Sequence, residues 1–531
     1  MATNTTAPRS ASGTVLMTLA AGQFLMTLDS SVMNVSIATV AKDVGTDVTG
    51  IQTAITLYTL VMASLMITGG KVGAILGRRR AFAIGCVIYG AGSFTTAIAP
   101  SLPVLMFGWS FLEGIGAALI MPAIVALVAT NFERDQRPRA YGLVASAGAI
   151  AVAAGPLIGG FFTTYLSWRL VFAGEVIVVL GILVLVRRMV DVPAEPGRLD
   201  LVGTVLSASG LALIVFGILR SGVWGFADPK EGAPVWLGLS PVIWLVLAGG
   251  LVLYGFLAWE NHVLARGGTP LLDPKLLENL QLRGGLIAFF FQFLLQAGLF
   301  YAVPLFLSVA LGLSAIATGV RLLPLSISLL LAAAGIPRFF PDASPRRVAR
   351  AGFLALFVGI VVLVGALDAG AGPEIVTLPL LLAGLGVGAL ASQLGAVTVS
   401  AVPDEQSGEV GGLQNTVTNL GASIGTALSG AILIAVLTTS FLHGIQNNPD
   451  VPDRVAANAQ TELSTGVPFV SDAQLEQALA DAGVTGKTAD AIVRENEDSR
   501  LRALQVSMAV LSLFALAALF TSRRIPARRQ T

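Results

Sequence analysis

The sequence predicts an all-α integral membrane protein with fourteen transmembrane helices, and three observations lead there. Only 12% of the 531 residues are charged while 55% are hydrophobic, against roughly 25% charged in soluble globular domains. The mean hydropathy is +0.81, and apolar windows of about 20 residues, enough to cross a hydrocarbon core of about 30 Å, recur along nearly the whole chain. These windows are continuous rather than alternating, so helices and not a barrel satisfy the backbone groups carried into lipid.

The elements follow in order. Val15 to Val40 is too long for the apolar core of a secretory signal and carries Asp29 and Asn34, so it is read as a span. Ile51 to Thr68 stops at Gly69 and Gly70, and Ala81 to Ala99 opens after Arg78, Arg79 and Arg80. The third span holds the single cysteine, Cys86, read as a small buried apolar residue. Pro103 to Thr130 carries Glu113, Ala140 to Leu166 contains AAGPLIGG, and Arg169 to Val186 carries Glu175. Leu201 to Leu219 and Trp236 to Trp259 are apolar throughout. Six more complete the set: Gly284 to Val309, Ala315 to Ile336, Val348 to Leu367, Ile375 to Val399, Val410 to Leu437 and Leu504 to Phe520.

Charge placement orients the spans, because positive residues are retained on the cytoplasmic side. One set of alternate connections holds Lys71, Arg78, Arg79, Arg80, Arg134, Arg187, Arg188, Arg198, Arg346 and Arg347, whereas the opposite short connections hold little beyond Lys42, Arg169, Arg220 and Lys230. Both termini are therefore expected inside a cell (inner) membrane, in agreement with Arg523, Arg524, Arg528 and Arg529 in the tail. The long connection from Thr438 to Arg500 falls outside, with ten acids against four bases. Segments 471–482 and 488–500 within it read as short helices with Ser471 and Thr488 as N-caps. Its GVTGKT resembles a phosphate-binding loop only superficially, since Asp481 stands where the first glycine is needed. The two histidines, His262 and His443, lie in connections on opposite sides, so neither a histidine metal centre nor any other metal or cofactor is expected, and the chain does not read as an enzyme.

A weak internal repeat divides the chain. Basic connections follow the second and tenth spans (GGKVGAILGRRR, 69–80, and GIPRFFPDASPRR, 335–347), and glycine-spaced helices are fifth and thirteenth. Residues 1–190 thus form one six-helix bundle, 191–283 two inserted helices with a linker, and 284–531 a second bundle. Paired bundles around a midplane site are how many secondary transporters achieve alternating access.

Four segments carry a resemblance: LDSSVMNVSIA in the first span, GGKVGAILGRRR after the second, SFLEGIGAAL in the fourth, and AGPLIGG followed by SWRLVF around the fifth and sixth. In these the chain resembles the major facilitator superfamily, specifically its fourteen-helix drug:proton antiporter branch. The resemblance implies the major facilitator fold, makes Asp29 the proton-coupling acid of the first span, and makes the fifth helix the seal of the outer side. Two departures stand out. Ala74 occupies the place of the loop acid that latches the cytoplasmic side, and Ser110 that of an arginine in the fourth helix, with Glu113 in place of a glutamine.

A carboxylate near a helix centre costs about 2.5–3.5 kcal/mol to insert, so such residues face a bundle interior or a wet cavity. Asp29, Glu113 and Glu175 are the proton-coupling candidates. Glu113 reads as a second proton or cation site, and Glu175 either joins them or pairs with Arg169. Gly155, Pro156, Gly159 and Gly160 give the fifth helix a small-residue face and a break in its backbone bonding, while Gly69, Gly70, Gly73, Gly77 and Arg78 form a cytoplasmic hinge. Phe289, Gln292, Phe293 and Gln296 share one helix face and suit lipophilic, adaptable binding, with Gln393 and Asn34 as further substrate contacts. The expected function is proton-coupled export of lipophilic small molecules or drugs, cationic ones included, by a monomer whose partners are substrate, protons and membrane lipids, with no nucleic acid. A dedicated exporter of one metabolite, lipid or antibiotic is the alternative. A non-transporting receptor or scaffold would not need paired midplane acids.

Overall fold

The computed structural model describes residues 9–133, 137–190, 199–230, 232–340, 342–367, 372–402, 407–463, 467 and 469–525. Arg134, Arg198, Arg528 and Arg529 lie outside them. The first half comprises α1 (Arg9–Asp43), α2 (Val48–Leu76), α3 (Arg78–Ala97), α4 (Leu102–Leu105, continuing through a π-helical Met106–Glu113 into Gly114–Asn131), α5 (Arg137–Tyr165) and α6 (Arg169–Val186). The inserted pair is α7 (Leu201–Trp224) and α8 (Pro241–Ala265). The second half begins with α9 (Leu280–Leu305, ending in a π turn, Phe306–Ala310), α10 (Ala315–Phe339), α11 (Pro345–Ala366) and α12 (Thr377–Val399). It closes with α13 (Ser407–Asn447), the short α14 (Asp453–Glu462) and α15 (Asp472–Asp481), and α16 (Lys487–Thr521).

Among the described residues thirteen helices are long and apolar enough to cross a membrane. The exception, α3, opens on Arg78–Arg80 and packs between α4 and α6. It carries Ser93 and Thr96 toward the interior, where both are fully buried, which explains its lower hydropathy. With it the bundle has fourteen helices, and an even number of traverses puts the start of α1 and the end of α16 at one end. That end also carries Lys71, Arg78–Arg80, Arg187, Arg188, Arg346 and Arg347, and is called the basic end here; the other carries α14 and α15 and is called the loop end.

The packing between the two parts of the chain is reciprocal. The glycine-rich fifth helix of each half lies against the second helix of the other: α5 on α10 and α13 on α2. The inserted α7 touches both α2 and α13, so the extra pair sits alongside the junction between the halves. Contacts join the halves at both ends. At the loop end Gln52 of α2 donates to the Thr426 carbonyl of α13 at 3.3 Å and accepts from Tyr301 of α9 at 3.2 Å. At the basic end the 266–279 linker inserts Leu271, Leu272 and Leu276 among Ile67 of α2, Phe256 of α8, Leu282 and Leu286 of α9, and Val410 and Leu413 of α13. Glu260 holds the linker by accepting the Leu271 N–H at 2.7 Å.

Several elements differ from the sequence expectation. GGKVGAILGRRR is helix rather than loop, since α2 runs two further turns and breaks only at Gly77, whose φ of 93° requires glycine. Those turns stay helical because Gly69 lets the backbone pack against the Ala118 carbonyl of α4. α5 continues as one helix through Pro156, whose missing N–H leaves a gap in its backbone bonding. The span assigned to Trp236–Trp259 begins instead at Pro241, where Ser240 caps the helix and proline takes its first position. Segment 488–500 is no separate helix but the first turns of α16, preceded by Gly486 rather than capped by Thr488, whose hydroxyl donates to the Asp450 carbonyl. Ser471 does cap α15, in a reciprocal box with Gln474.

Candidate functional site

Three acids from three helices meet in the interior of the first half. Asp29 of α1 and Glu113 of α4 are fully buried and Glu175 of α6 is 2% exposed. One carboxylate oxygen from each lies within 4.8 Å of the others. Two unit charges at that separation repel by about 3 kcal/mol at an effective dielectric of about 20, and desolvation adds to the cost. The other charges that act most strongly on Glu113 are those of Asp29 and Glu175 themselves. A dry cluster of this kind is kept near neutrality by protons or another cation.

The surrounding side chains hold this geometry. The π-helical stretch of α4 brings Trp109, Ser110 and Glu113, all buried, into the interior. Such widened turns accumulate at functional sites because they re-aim successive side chains. Trp109 donates its indole N–H to both oxygens of Asp29, at 2.7 and 3.0 Å, and its ring stacks in parallel on Tyr58 of α2 at 5.1 Å. Ser110, in the place of the missing arginine, donates to the Ala54 carbonyl at 2.8 Å. From α3, Tyr89 and Ser93 donate to Oε2 of Glu175 at 3.2 and 3.0 Å, and Thr96 donates to Oε1 of Glu113 at 3.2 Å. The spacings of four and three residues put those hydroxyls on one helix face. Oε2 of Glu113 and Oε1 of Glu175 are buried without a hydrogen-bond partner, and the buried Tyr58 hydroxyl faces Asp29. Gly92 makes the room: a Cβ there would come within 2.5 Å of Glu113 Cγ and 2.7 Å of the Gly108 carbonyl.

Glu175 does not pair with Arg169. That guanidinium bonds Asp43 at 3.0 Å and the Ala99 carbonyl at 2.8 Å, and lies over the Trp168 ring at the helix end. Snorkelling to the loop end suits Arg169, whereas Glu175 lies two turns deeper and points to the other acids.

The remaining candidates fall elsewhere. Asn34 is satisfied inside α1 by the Ser30 carbonyl. On α9, Phe289 and Phe293 lie 6.4 Å apart, Gln292 is buried with an unpartnered carbonyl oxygen, and Gln296 is half-buried. Gln393 on α12 is buried and also keeps an unpartnered carbonyl oxygen. The two groups therefore lie in different halves, acids in the first and amides in the second. The AGPLIGG segment packs in two directions, with Gly155 and Gly159 against Ser31 and Val32 of α1, and Pro156 and Gly160 against Gly319, Ala315 and Ile316 of α10. Gly69, Gly70, Lys71, Gly73, Ala74 and Arg78 line a cavity of about 60 Å³ at the basic end, closed from the second half by Glu409 and Gly412. An acid thus stands at that hinge from α13, although Ala74 has replaced the one on α2.

Trp109, Tyr58, Tyr89, Ser93 and Thr96 are the site residues that sequence reasoning missed. The signal was present: Tyr89, Ser93 and Thr96 form a polar stripe at helical spacing in an otherwise apolar span.

In sequence and fold the chain is similar to known proteins. The chain is 32% identical to the puromycin resistance protein pur8 of Streptomyces alboniger over 426 residues, covering 78% of this chain and 80% of that protein. It is 28% identical to the probable actinorhodin transporter of Streptomyces coelicolor (86% and 77% covered) and 28% identical to the multidrug efflux pump LfrA of Mycolicibacterium smegmatis (82% of each). In fold it resembles a bacterial homologue of the lysosomal transporter Spinster, with a TM-score of 0.60 at 14% identity and 98% and 99% of the chains covered. The family model described as Major Facilitator Superfamily matches residues 19–426, and the chain belongs to that superfamily of membrane transporters.

Proposed function

We propose that the protein is a proton-coupled antiporter that exports lipophilic small molecules or drugs, cationic ones included, with its basic end in the cytoplasm and both termini inside. The observation that carries this reading is the meeting of Asp29, Glu113 and Glu175 within 4.8 Å in the interior. A carboxyl group is neutral in a dry setting and ionises when water reaches it, so a cycle that alternates the two moves protons. Proton entry is worth about 2.3 kcal/mol per charge for each 100 mV of membrane potential. The amides and phenylalanines of α9, with Gln393, supply an adaptable wall for the exported molecule. The two-faced α5 closes the outer side, and the glycine hinge with Arg78 and Glu409 closes the inner one.

The test is substrate-induced proton release from proteoliposomes, comparing the wild type with Asp29→Asn and Glu113→Gln. Release that either variant abolishes supports antiport, and wild-type behaviour in both variants sinks it. A second reading, export of one compound, is favoured by relatives named for single compounds, among them the cephamycin export protein CmcT of Amycolatopsis lactamdurans. Protection of cells against a panel of unrelated lipophilic compounds separates the two.

A further inference from the structure

We propose that the loop end of the inserted pair is a phospholipid site, where Arg220 of α7 takes the phosphate of an anionic lipid and the connection from α7 to α8 dips Trp236 and Leu237 into the same leaflet. The first observation is an arginine with aromatic walls and no counter-charge. Phe216, Arg220 and Val223 share one face of α7 by spacing, and all three are exposed. On a membrane-spanning helix such a face meets lipid. The Arg220 guanidinium lies over the rings of Phe216 at 5.5 Å and Trp224 at 5.4 Å. Among the described residues it meets no carboxylate and no carbonyl. Positive charge is otherwise gathered at the basic end, so topology gives no reason for it here. Arg220 stands four residues before the end of α7, about 6 Å along the axis, and its long side chain reaches the headgroup level from there. A guanidinium offers a planar fork of donors that matches phosphate. With no acid beside it, a lipid of net negative charge balances it better than a zwitterionic one.

The second observation is independent of Arg220. Residues 236–239 form a tight turn closed by reciprocal bonds, the Trp236 N–H to the Leu239 carbonyl at 2.9 Å and the Leu239 N–H to the Trp236 carbonyl at 3.0 Å. Leu237 has a φ of 52°, the only positive value outside glycine among the described residues, and it is 87% exposed. Turns of this kind favour asparagine or glycine. Here the strained position displays a large apolar side chain instead, with Phe226, Val235 and Trp236 exposed in the same connection. The turn is tied down, because Trp244 donates its indole N–H to the Trp236 carbonyl at 2.9 Å and Ser240 donates to the Gly225 carbonyl at 2.7 Å. Trp244 also heads a stripe on α8 that runs on through the exposed Leu247, Leu251 and Tyr254. The tip thus continues the lipid-facing surface of the pair. Three of the six tryptophans, Trp224, Trp236 and Trp244, gather at this end, and tryptophan concentrates where a bilayer meets water. Since α7 touches both α2 and α13, the site sets the depth of the helix that borders the junction of the halves.

The experiment uses the full-length protein and has two arms. In nanodiscs of phosphatidylcholine and phosphatidylglycerol, a nitroxide on Leu237→Cys in a Cys86→Ala background reports depth, with Glu476→Cys on the exposed face of α15 as the reference in water. Oxygen, which partitions into lipid, is expected to relax the label at 237 severalfold more than a water-soluble nickel chelate does, the reverse of the label at 476. In the second arm, mass spectrometry of the intact protein in detergent counts the lipid it retains. About one phosphatidylglycerol per protein is expected, held about fivefold better than phosphatidylcholine. Arg220→Gln removes that preference, and Arg220→Lys, which keeps the charge without the fork, keeps part of it. Thermal unfolding confirms that both variants are folded. A label at 237 as open to nickel as that at 476 overturns the inserted tip. Retention of phosphatidylglycerol by Arg220→Gln equal to the wild type overturns the phosphate site, and displacement of the lipid by inorganic phosphate makes it a site for free anions instead. Protection of the label from both reagents, with spin–spin broadening between molecules, overturns the lipid in favour of a second copy of the chain.

Discussion

The indole of Trp109 bridges both carboxylate oxygens of Asp29, at 2.7 and 3.0 Å, while its ring lies flat on Tyr58. Trp109 and Asp29 are both buried, so this N–H is worth more than one in water, about 1.5–3 kcal/mol when the acceptor is charged. Trp109→Phe keeps the stacked ring and deletes the donor. Substrate-driven proton release is expected to fall roughly tenfold to a hundredfold at neutral pH, with the loss shrinking under acidic conditions where Asp29 is protonated anyway. A pH profile of release in proteoliposomes reads this. A uniform loss at all pH values would show that the indole only fills space.

Gly92 is the position where α3 can least accept a side chain, because Glu113 and the Gly108 carbonyl occupy the volume a Cβ would need. Gly92→Ala forces α3 and the π-helical turn of α4 apart or displaces Glu113, and overpacking of this kind costs about 1–3 kcal/mol. Lower thermal stability together with reduced proton release is expected. Gly174→Ala, on a glycine with open space around it, is the control and leaves both unchanged.

How far the site was legible in the sequence follows from these residues. Asp29, Glu113 and Glu175 stood out individually because a charge in an apolar span is costly wherever it points. That they share one centre did not, because contacts between helices depend on rotation about each axis. Trp109 and Ser110 lie four and three residues before Glu113 and share its face by helical spacing, but that Trp109 reaches Asp29 depends on how α4 and α1 are turned toward each other. The fold was legible, since span length and glycine spacing are properties of single helices. Arg169 shows the limit in reverse: its six-residue distance from Glu175 suggested a pair, yet Asp43 from α1 claimed it.

At the loop end Tyr301 donates to Gln52, and Gln52 donates across to α13, joining the halves through one amide. Gly430 lies directly against that amide and leaves no room for a larger residue. Tyr301→Phe removes one buried hydrogen bond, a loss of about 0.5–1.5 kcal/mol, and leaves the Gln52 oxygen unpaired. The loop end is then expected to open more often. Modification of a cysteine placed at Thr426, in a Cys86→Ala background, rises severalfold with an impermeant thiol reagent added from the loop side. Unchanged modification would remove Gln52 from the closure.

The linker at the basic end holds by apolar insertion, with Leu271, Leu272 and Leu276 each no more than 5% exposed. Burying a leucine side chain is worth about 1.5–3 kcal/mol. Leu272→Asp places an unpaired charge among Ile67, Phe256 and Val410, and expels the segment. Limited proteolysis between residues 266 and 279 is expected to accelerate more than tenfold while the membrane-embedded helices stay resistant. If cleavage is unchanged, the linker is held by Glu260 and its backbone bond rather than by the leucines.

Arg500 poses the last question, because a guanidinium only 1% exposed lies at the loop end of α16, outside the apolar stretch. It donates to the Val470 carbonyl at 2.6 Å and to Asp472 at 2.5 Å, so it ties the start of α15 to α16. Asp472 is also the first residue of α15, where a negative charge favours the helix end. The Asp472 side chain is 30% exposed, so removing Arg500 leaves a solvated acid and costs mainly the lost charge-assisted hydrogen bonds, about 1.5–3 kcal/mol. Arg500→Ala is therefore expected to release the 469–486 segment to protease. Asp472→Asn, which keeps a hydrogen-bond acceptor, has a smaller effect. Neither residue touches the three acids, so proton release should survive in both variants. Were it lost in Arg500→Ala but kept in Asp472→Asn, the anchored segment would belong to the outer closure rather than merely cover it.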